Sequence, residues 1–295
     1  MTQLRSMTGF GMAEKTNQRF KIKVEIRALN GKFLETNLRI SRFFKDRETQ
    51  IRQLINQTIV RGSVQVSVAA EVLDPSILGG LLEFDARLAQ DYKNKILSFC
   101  NQTQIEPNNW FEYITGLPEV VTHREVQSDE QDFALLSEVY NEAFLALDSF
   151  RITEGKSLRN ELHGLAQNIE KNLAKVMELE PERKNHIKSR VAKALDDIQE
   201  KTAPDPARFE YELLYYLEKL DIREEVSRLQ NHITFFYNTL DQTNMNGKKL
   251  GFISQEMGRE INTLGSKASY FEMQKWVVEM KEQLEKIKEQ CLNVL

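Results

Sequence analysis

The first third of the chain alternates apolar and polar residues. From residue 20 to residue 28 every second residue is apolar, and the alternation returns at 34–40 and 64–72. A period of two is typical of a half-buried strand, so each run predicts a strand with one face on the core. Apolar residues at helical spacing over 51–59, and an amphipathic stretch over 85–99, predict helices between and after these strands.

Asn30-Gly31 separates the first two alternating runs and is a strong signal for a tight β-hairpin. Two strands joined by such a turn run antiparallel. The order strand, hairpin, helix, strand, helix indicates a sheet that is covered on one face by helices. We therefore predict an α+β fold, with an N-terminal domain of mixed strands and helices built on an antiparallel sheet.

The second half of the chain has the pattern of long helices. A near-heptad apolar stripe runs from Leu158 to Val176 and ends before Pro181, and a second stripe runs from Ile187 to Ile198. Together they predict a long helical hairpin, which packs on itself or on a neighbouring subunit and so favours a homo-oligomer. The predicted parts of the chain are a basic α+β domain at 1–130, the long helical hairpin at 131–205 and a mostly helical C-terminal domain at 206–295.

Composition narrows the class of protein. The chain has 295 residues, of which 41% are hydrophobic and 28% are charged, as in ordinary globular proteins. No apolar run is long enough to span a bilayer and the N-terminus lacks a signal-peptide pattern, so we expect no membrane contact and a cytoplasmic location. Cys100 and Cys291 lack metal-ligand or redox spacing, and no motif predicts an organic cofactor.

Charge is distributed unevenly along the chain. Residues 1–65 contain 13 Lys and Arg against 5 Asp and Glu, a net charge of +8, whereas the remainder has a net charge of −12. This asymmetry suggests a polyanion partner for the first part and cation binding for the rest, although a solvated sheet face also carries such residues for solubility. The candidate polyanion contacts in the first part are Lys21, Lys23, Arg27, Lys32 and Arg39.

The opening SMTGFG is a further motif in the basic part. Two glycines flank Phe10, which would let the backbone approach another element closely, and Thr8 offers a hydroxyl group. The spacing is not that of a phosphate-binding loop, so the motif alone is a weak functional signal.

Asp221, Glu225, Arg228 and His232 fall on one narrow line of a helix whose other side is apolar. Two carboxylates, an arginine and a histidine on one line can bind a divalent cation or position a phosphate. The alternative is a ladder of salt bridges at i, i+3 and i, i+4, which stabilises a helix by a few tenths of a kcal/mol per pair.

The next helix carries a second polar line. Glu256, Glu260, Thr263 and Lys267 share it. Two carboxylates one turn apart repel each other unless a cation or basic group compensates, and carboxylate oxygens suit Mg²⁺ or Mn²⁺. A metal held there could activate water and stabilise the charge on a phosphoryl group. The polar residues on the adjoining line are Gln255, Arg259, Asn262 and Ser266.

Both ends of the chain resemble the bacterial YicC/YloC-type proteins. The matching stretches are MTGFG, VEIRALNGKFLE, RGSVQVSV, DIREEVSRLQNH, QEMGREINTLGSKA and VVEMKEQLEKIKEQ. The resemblance implies a cytoplasmic, divalent-cation-dependent endoribonuclease that assembles as a ring-like hexamer. The positions that match the family motif are Asp221, Glu224, Glu225, Arg228, His232, Glu256, Arg259, Glu260, Asn262, Ser266 and Lys267.

This chain departs from the family pattern at two glycines. Gly31 stands where the family often has His, which removes one possible contact from that turn. Gly251 stands where the family commonly has Asp, which removes one candidate ligand or helix-capping carboxylate.

Residues and resemblance together predict an endoribonuclease that cleaves single-stranded or structured RNA in RNA turnover. The predicted catalytic residues are Glu256, Glu260, His232, Arg259 and Lys267. The predicted ligands of Mn²⁺ or Mg²⁺ are Glu256, Glu260, Glu225 and Asp221. The predicted RNA contacts are Lys21, Lys23, Arg27, Lys32, Arg39, Arg228, Asn262 and Ser266.

Two alternatives accompany this prediction. Metal-free cleavage would need a general acid and a general base, and His232 with one of the glutamates could serve. A non-catalytic RNA-binding or adaptor protein would instead use the two polar helix lines as contacts between subunits.

Overall fold

The computed structural model divides the described chain into two compact units. One unit is Phe10–Asp148, and the other combines Met1–Gly9 with Ser149–Leu295. The predicted three-part division stays a prediction, and its boundary at 205 lies outside the described residues. The structure describes residues 4–74, 77, 82–103, 109–123, 128–199, 210–211, 214–215, 218–242 and 246–295.

A four-stranded sheet forms the centre of the first unit. Its strands are β1 (Gly9–Thr16), β2 (Phe20–Leu29), β3 (Leu34–Ile40) and β4 (Gly62–Val72), in the order β1-β2-β4-β3. β2 is antiparallel to β4, whereas β3 is parallel to β4. The sheet is therefore mixed, and the prediction of a purely antiparallel sheet is wrong for β3.

The predicted hairpin at Asn30-Gly31 is also wrong, because β4 lies between β2 and β3. Parallel strands need a long crossover, which here contains a 3₁₀-helix (Arg42–Arg47) and α1 (Glu48–Thr58). A different constraint explains Gly31. A Cβ atom there would lie 2.7 Å from the Ser63 backbone nitrogen, so the glycine permits a close approach of two backbone segments.

The alternating pattern assigned the buried face of β2 and β4 correctly. Phe20, Ile22 and Val24 are fully buried, and their polar neighbours face outward. The core beneath the sheet also contains Ile51 of α1 and Tyr140 of a long helix, α4 (Glu130–Gln199). The remaining elements of this unit are β5 (Leu82–Phe84), α2 (Ala86–Thr103), α3 (Trp110–Thr115) and β6 (Val121–His123), with β5 antiparallel to β6.

α4 is one helix of 70 residues, Glu130–Gln199, and it contains Pro181. The predicted break and helical hairpin are therefore wrong. A proline inside a helix removes a hydrogen bond and costs about 3 kcal/mol. Here the apolar stripe continues across it, because Val176 and Ile187 are eleven residues apart, about three turns, and both are buried on the same side.

Three consecutive helices complete the second unit. They are α5 (Arg223–Leu240), α6 (Gly247–Lys267) and α7 (Phe271–Cys291), and each packs against the next. Their apolar stripes form one core with α4. The α+β class with a mostly helical C-terminal region is confirmed. Among the described residues, no helix is long and apolar enough to cross a membrane.

Candidate functional site

Glu225 is the buried carboxylate near the start of α5. It is only 6% exposed, and its Oε1 accepts a hydrogen bond from Lys267 Nζ at 2.8 Å. Its second oxygen, Oε2, is buried without a hydrogen-bond partner in the described part of the chain. The contact joins the start of α5 to the end of α6, so these two predicted site residues do meet.

Asp221 lies just before α5 and turns toward Arg223. Arg223 Nε donates to its Oδ2 at 2.8 Å, and the Arg223 backbone N–H donates to its Oδ1 at 2.9 Å. The hydrogen bond from the Arg223 side chain lowers the pKa of Asp221 to about 2. This carboxylate therefore accepts the first backbone N–H of α5.

Two other charged pairs behave as the salt-bridge alternative predicted. Arg228 pairs with Glu224 one turn away on α5. Arg259 Nη1 lies 2.9 Å from Glu256 Oε1 on α6, and the arginine side chain is largely exposed. Each pair lies within one helix, and exposed pairs of this kind stabilise a helix by only a few tenths of a kcal/mol.

His232 and Glu260 are placed differently. Glu225 near the start of α5 contacts Lys267 at the end of α6, and only six residues separate the end of α5 from the start of α6, so the two helices run antiparallel. His232 follows Glu225 by seven residues, and Glu260 precedes Lys267 by seven, which is about two turns or roughly 10 Å along each helix. Both residues therefore lie at one level, that is, at about the same distance along the helix axes from the Glu225–Lys267 contact. They also lie on the side of the helix pair where Glu225 meets Lys267.

The two side chains are half-buried. Neither forms a hydrogen bond or ion pair with any residue that the structure describes. A histidine and a carboxylate with free polar atoms can exchange protons with a bound molecule. Of the predicted catalytic residues, these two have polar atoms that are not engaged in a hydrogen bond or ion pair with another described residue.

Asn262 and Ser266 lie on the exposed side of α6. Ser266 Oγ donates to the Thr263 carbonyl at 2.8 Å, so its hydroxyl proton is used within the helix. Gly265 permits close packing of α6 against α7, because a Cβ there would lie 2.9 Å from Val277 Cγ1. Gly251 has open space around it, so the family aspartate would be sterically accommodated there.

Three of the four predicted metal ligands are already paired with a basic side chain. Asp221 contacts Arg223, Glu225 contacts Lys267, and Glu256 contacts Arg259, whereas Glu260 has no such partner. Within the described residues, no group of three or more His, Cys, Asp or Glu side chains is arranged to hold a metal ion. The described carboxylates, in this arrangement, do not by themselves form a Mn²⁺ or Mg²⁺ centre.

A buried ionic network that the sequence analysis missed lies next to this helix pair. Arg183 of α4 is 2% exposed and donates two hydrogen bonds to Glu180, at 2.7 and 2.9 Å. It also donates to the backbone carbonyls of Lys267 and Leu220, at 3.1 and 2.9 Å. The only signal in the sequence was the i, i+3 spacing of Glu180 and Arg183 around Pro181, a position that the hairpin prediction assigned to a helix end.

The outer face of the sheet carries the predicted polyanion contacts. Lys21 pairs with Glu14 at 3.3 Å, and Lys23 pairs with Glu25 at 2.7 Å. The Lys23 hydrogen bond keeps the pKa of Glu25 below its usual value. These cations are thus partly neutralised, and the face is less basic than the composition of the segment indicates.

Arg27 and Arg39 border an open cavity of ≈ 180 Å³ on this outer face. Glu25, Gln65 and Ser67 complete its lining. The strand register sets Glu25 and Arg39 on either side of Ser67, so the three strands contribute one row of polar groups. Gln65 and Ser67 were not predicted, although their polar positions in the alternating run of β4 placed them on this face.

The remaining basic candidate, Lys32, lies in the connection between β2 and β3. Its Nζ is 5.7 Å from the centre of the Phe33 ring, and that ring is highly exposed. Lys32 therefore presents a cation together with an aromatic surface.

Comparison with known proteins finds similarity over nearly the whole chain to proteins described as endoribonucleases or probable endoribonucleases. The family description "Endoribonuclease YicC-like, N-terminal region" matches residues 4–160, and "Endoribonuclease YicC-like, C-terminal" matches residues 176–295. A protein of Clostridioides difficile strain 630, named probable endoribonuclease YicC, is 31% identical over 98% of this chain and 99% of its own length. A protein of the same name from Haemophilus influenzae is 27% identical over the same shares.

Proposed function

The chain belongs to the YicC-like endoribonuclease family, and from this membership we propose that it cleaves the RNA backbone with acid–base groups on α5 and α6. The observation that carries the proposal is the pair His232 and Glu260. Both are half-buried, lie at one level of the helix pair, and have polar atoms without internal partners. The two curated relatives are themselves named probable endoribonucleases.

The pair supplies the proton transfers that phosphodiester cleavage requires. In our proposal the Glu260 carboxylate accepts the proton of the ribose 2′-hydroxyl, whose oxygen attacks the adjacent phosphorus. The bond from phosphorus to the 5′-oxygen breaks, and protonated His232 donates a proton to that oxygen. The products are a 2′,3′-cyclic phosphate and a 5′-hydroxyl. General acid–base catalysis of this kind contributes about 10²–10⁴-fold to the rate.

Cations near the pair would stabilise the charge that develops on the phosphate. Arg259 is exposed and its ion pair with Glu256 is weak enough to exchange, so we assign it to this role. Lys267 is held by Glu225, which favours a positioning role for it over direct contact with RNA.

Dependence on Mn²⁺ or Mg²⁺ stays a proposal that rests on the family resemblance. A bound divalent cation would neutralise phosphate charge and lower the pKa of a water molecule. The carboxylates that the structure describes do not form such a centre, so we assign no step to the metal. We likewise keep the cytoplasmic location and the homohexamer as proposals. Support for assembly comes from Leu145 and Phe150, which are exposed on α4.

The experiment compares cleavage of an end-labelled structured RNA by the wild type, Glu260→Gln and His232→Asn. We expect each variant to lose about 10²–10⁴-fold in cleavage rate while its RNA affinity changes less than twofold. Glu272→Gln is the matched control, because Glu272 is an exposed carboxylate on α7 without a partner among the described residues. Near-normal cleavage by both site variants would remove them from the site.

Product ends and metal dependence test the chemistry separately. Cleavage in a chelator, with 2′,3′-cyclic phosphate ends, would support the acid–base reaction as written. Products with 5′-phosphate ends, formed only with added Mn²⁺ or Mg²⁺, would instead require a water nucleophile and a metal site.

A non-catalytic RNA-binding or adaptor protein is the second candidate. The observation that favours it is that Glu225 and Glu256 are already paired with cations, as structural contacts would be. It predicts RNA binding without cleavage under every metal condition, for the wild type and the variants alike.

A further inference from the structure

The opening motif Gly9-Phe10-Gly11 sets the orientation of one aromatic ring. A Cβ atom at Gly11 would lie 2.1 Å from the Ala143 carbonyl oxygen and 2.5 Å from the Leu147 nitrogen of α4. Only a glycine therefore lets β1 press its backbone against this helix. Because side chains alternate along a strand, Phe10 projects to the opposite, outer face, where it is 39% exposed.

The exposed ring forms part of an aromatic and cationic surface. The Arg27 guanidinium carbon lies 5.6 Å from the centre of the Phe10 ring, within the range of a cation–π contact. Met12 is exposed two residues along the same strand, on the same face. Phe10, Met12 and Arg27 thus form a platform of exposed side chains on the outer face of the sheet.

The cavity of ≈ 180 Å³ adjoins this platform, because Arg27 belongs to both. Its volume is several times the roughly 30 Å³ that one water molecule occupies. The side chains of Arg39, Gln65 and Ser67 make no hydrogen bond or ion pair to any described residue. The cavity therefore offers a free cation, a free amide and a free hydroxyl next to an aromatic ring.

Resting on the proposed function, we infer that this face binds unpaired RNA, with one base stacked on Phe10 and a neighbouring phosphate on Arg27 and Arg39. Gln65 and Ser67 can hydrogen-bond the edges of a base or a sugar hydroxyl. In a paired A-form helix the bases are stacked within the duplex and the major groove is too narrow for side chains. An open sheet with an exposed aromatic residue therefore selects single-stranded segments.

Binding is measured with a fluorescently labelled 2′-O-methyl RNA of twelve nucleotides, which lacks the 2′-hydroxyl nucleophile. The full-length protein is titrated with the single strand and with its duplex. Phe10→Ala should raise Kd for the single strand about 5- to 150-fold, the range expected for loss of one base stack. The Kd for the duplex should change less than twofold.

Two further variants serve as controls. Phe10→Trp keeps a stacking surface and should bind the single strand at least as tightly as the wild type. Phe111→Ala removes a 75% exposed aromatic residue from α3 and should leave both Kd values unchanged. Far-ultraviolet circular dichroism tests whether each variant is folded. If the alanine variant is not folded, the tryptophan variant decides whether Phe10 stacks on a base.

The outcomes separate this inference from the proposed function. The inference alone would be overturned if the wild type cleaves unmodified RNA but binds duplex and single strand equally, and if Phe10→Ala has the same Kd values as the wild type. Selective single-strand binding that Phe10→Ala removes, without cleavage of any RNA, would support the inference and overturn the proposed function. An RNA affinity that is unchanged in every variant of this face would overturn the inference and favour another occupant, such as an acidic peptide.

Discussion

The outer face of the sheet and the α5–α6 helix pair carry the same types of charged residue in opposite physical settings. On the sheet, Lys23 and Arg27 are substantially exposed and share the carboxylate of Glu25. At the ends of the helix pair, Glu225 and Arg183 are almost fully buried, and their contacts join separate segments of the chain. The exposed charged groups can therefore exchange their partners, whereas the buried charged groups stabilise the fold.

This difference assigns binding and structure to different groups. An exposed ion pair stabilises a protein by about 0–1 kcal/mol, so a phosphate group can replace its carboxylate at small cost. A buried charge that loses its partner destabilises a protein by several kcal/mol. We accordingly expect RNA to compete for the cations of the sheet but not for Arg183.

The largest effect on stability should follow from Arg183→Met, which replaces the apolar part of the arginine side chain but removes the guanidinium group. Buried Glu180 would keep only its 3.4 Å ion pair with the more exposed Lys184, and the Leu220 and Lys267 carbonyls would each lose one hydrogen bond. We expect a loss of about 3–5 kcal/mol in the free energy of unfolding. Urea titration at neutral pH, followed by circular dichroism, measures it.

Lys23→Met is the matched control from the sheet, because it breaks the exposed pair with Glu25. It should change the free energy of unfolding by less than about 1 kcal/mol. Equal losses in the two variants would contradict the division between exposed and buried charges.

An intermediate effect is expected from reversing three sheet charges together in Lys21→Glu, Lys23→Glu and Arg27→Glu. RNA binding should weaken at least about tenfold, or about 1.4 kcal/mol. If all three contact phosphates, the slope of log K against log salt should flatten by about 2, since each single-strand contact contributes about 0.7. Filter binding at several salt concentrations measures both quantities.

The control for this variant reverses three exposed lysines of the helical unit, Lys248, Lys281 and Lys286. It makes the same change in net charge at other positions. If both triple variants weaken binding equally, long-range charge explains the affinity, and the sheet face loses its special role.

The smallest effect concerns Asp221, whose pKa is lowered to about 2 by Arg223. A carboxyl group with a lowered folded-state pKa contributes stability above its unfolded-state pKa and loses it as the pH falls to the folded-state value. The contribution is therefore present at neutral pH and disappears between about pH 4 and pH 2. It should be below about 1 kcal/mol, because the Arg223 side chain is largely exposed.

Asp221→Asn tests this pH window. Urea midpoints of the wild type and the variant should differ slightly at pH 7 and converge by pH 2.5. A difference that persists at low pH would mean that the aspartate acts through packing and not through its charge.

The sequence predicted which residues face the core better than which elements are neighbours. The alternation from Phe20 to Ala28 assigned every buried side chain of β2, because burial follows directly from the period of two. Strand order depends on contacts between distant segments, and β4 entered the sheet between β2 and β3. The Asn30-Gly31 signal is local, so it could not reveal this insertion.

The same distinction explains the error at Pro181 and the omission of Arg183. The intrinsic cost of an internal proline is a local property, whereas the packing that offsets it is provided by the whole helical core. Sequence spacing assigned His232 and Glu260 to helices, and they lie in α5 and α6. It could not identify Lys267 as the partner of Glu225, because the two residues are 42 positions apart.

Arg183 also couples the opening of three chain segments. Its guanidinium binds the Leu220 carbonyl just before α5 and the Lys267 carbonyl at the last residue of α6. Helix ends normally fray and exchange their amide hydrogens first. Here neither end can open without breaking a hydrogen bond to the interior of α4. Amides at both ends should therefore exchange more slowly in the wild type than in Arg183→Met, because opening either end breaks a hydrogen bond to α4.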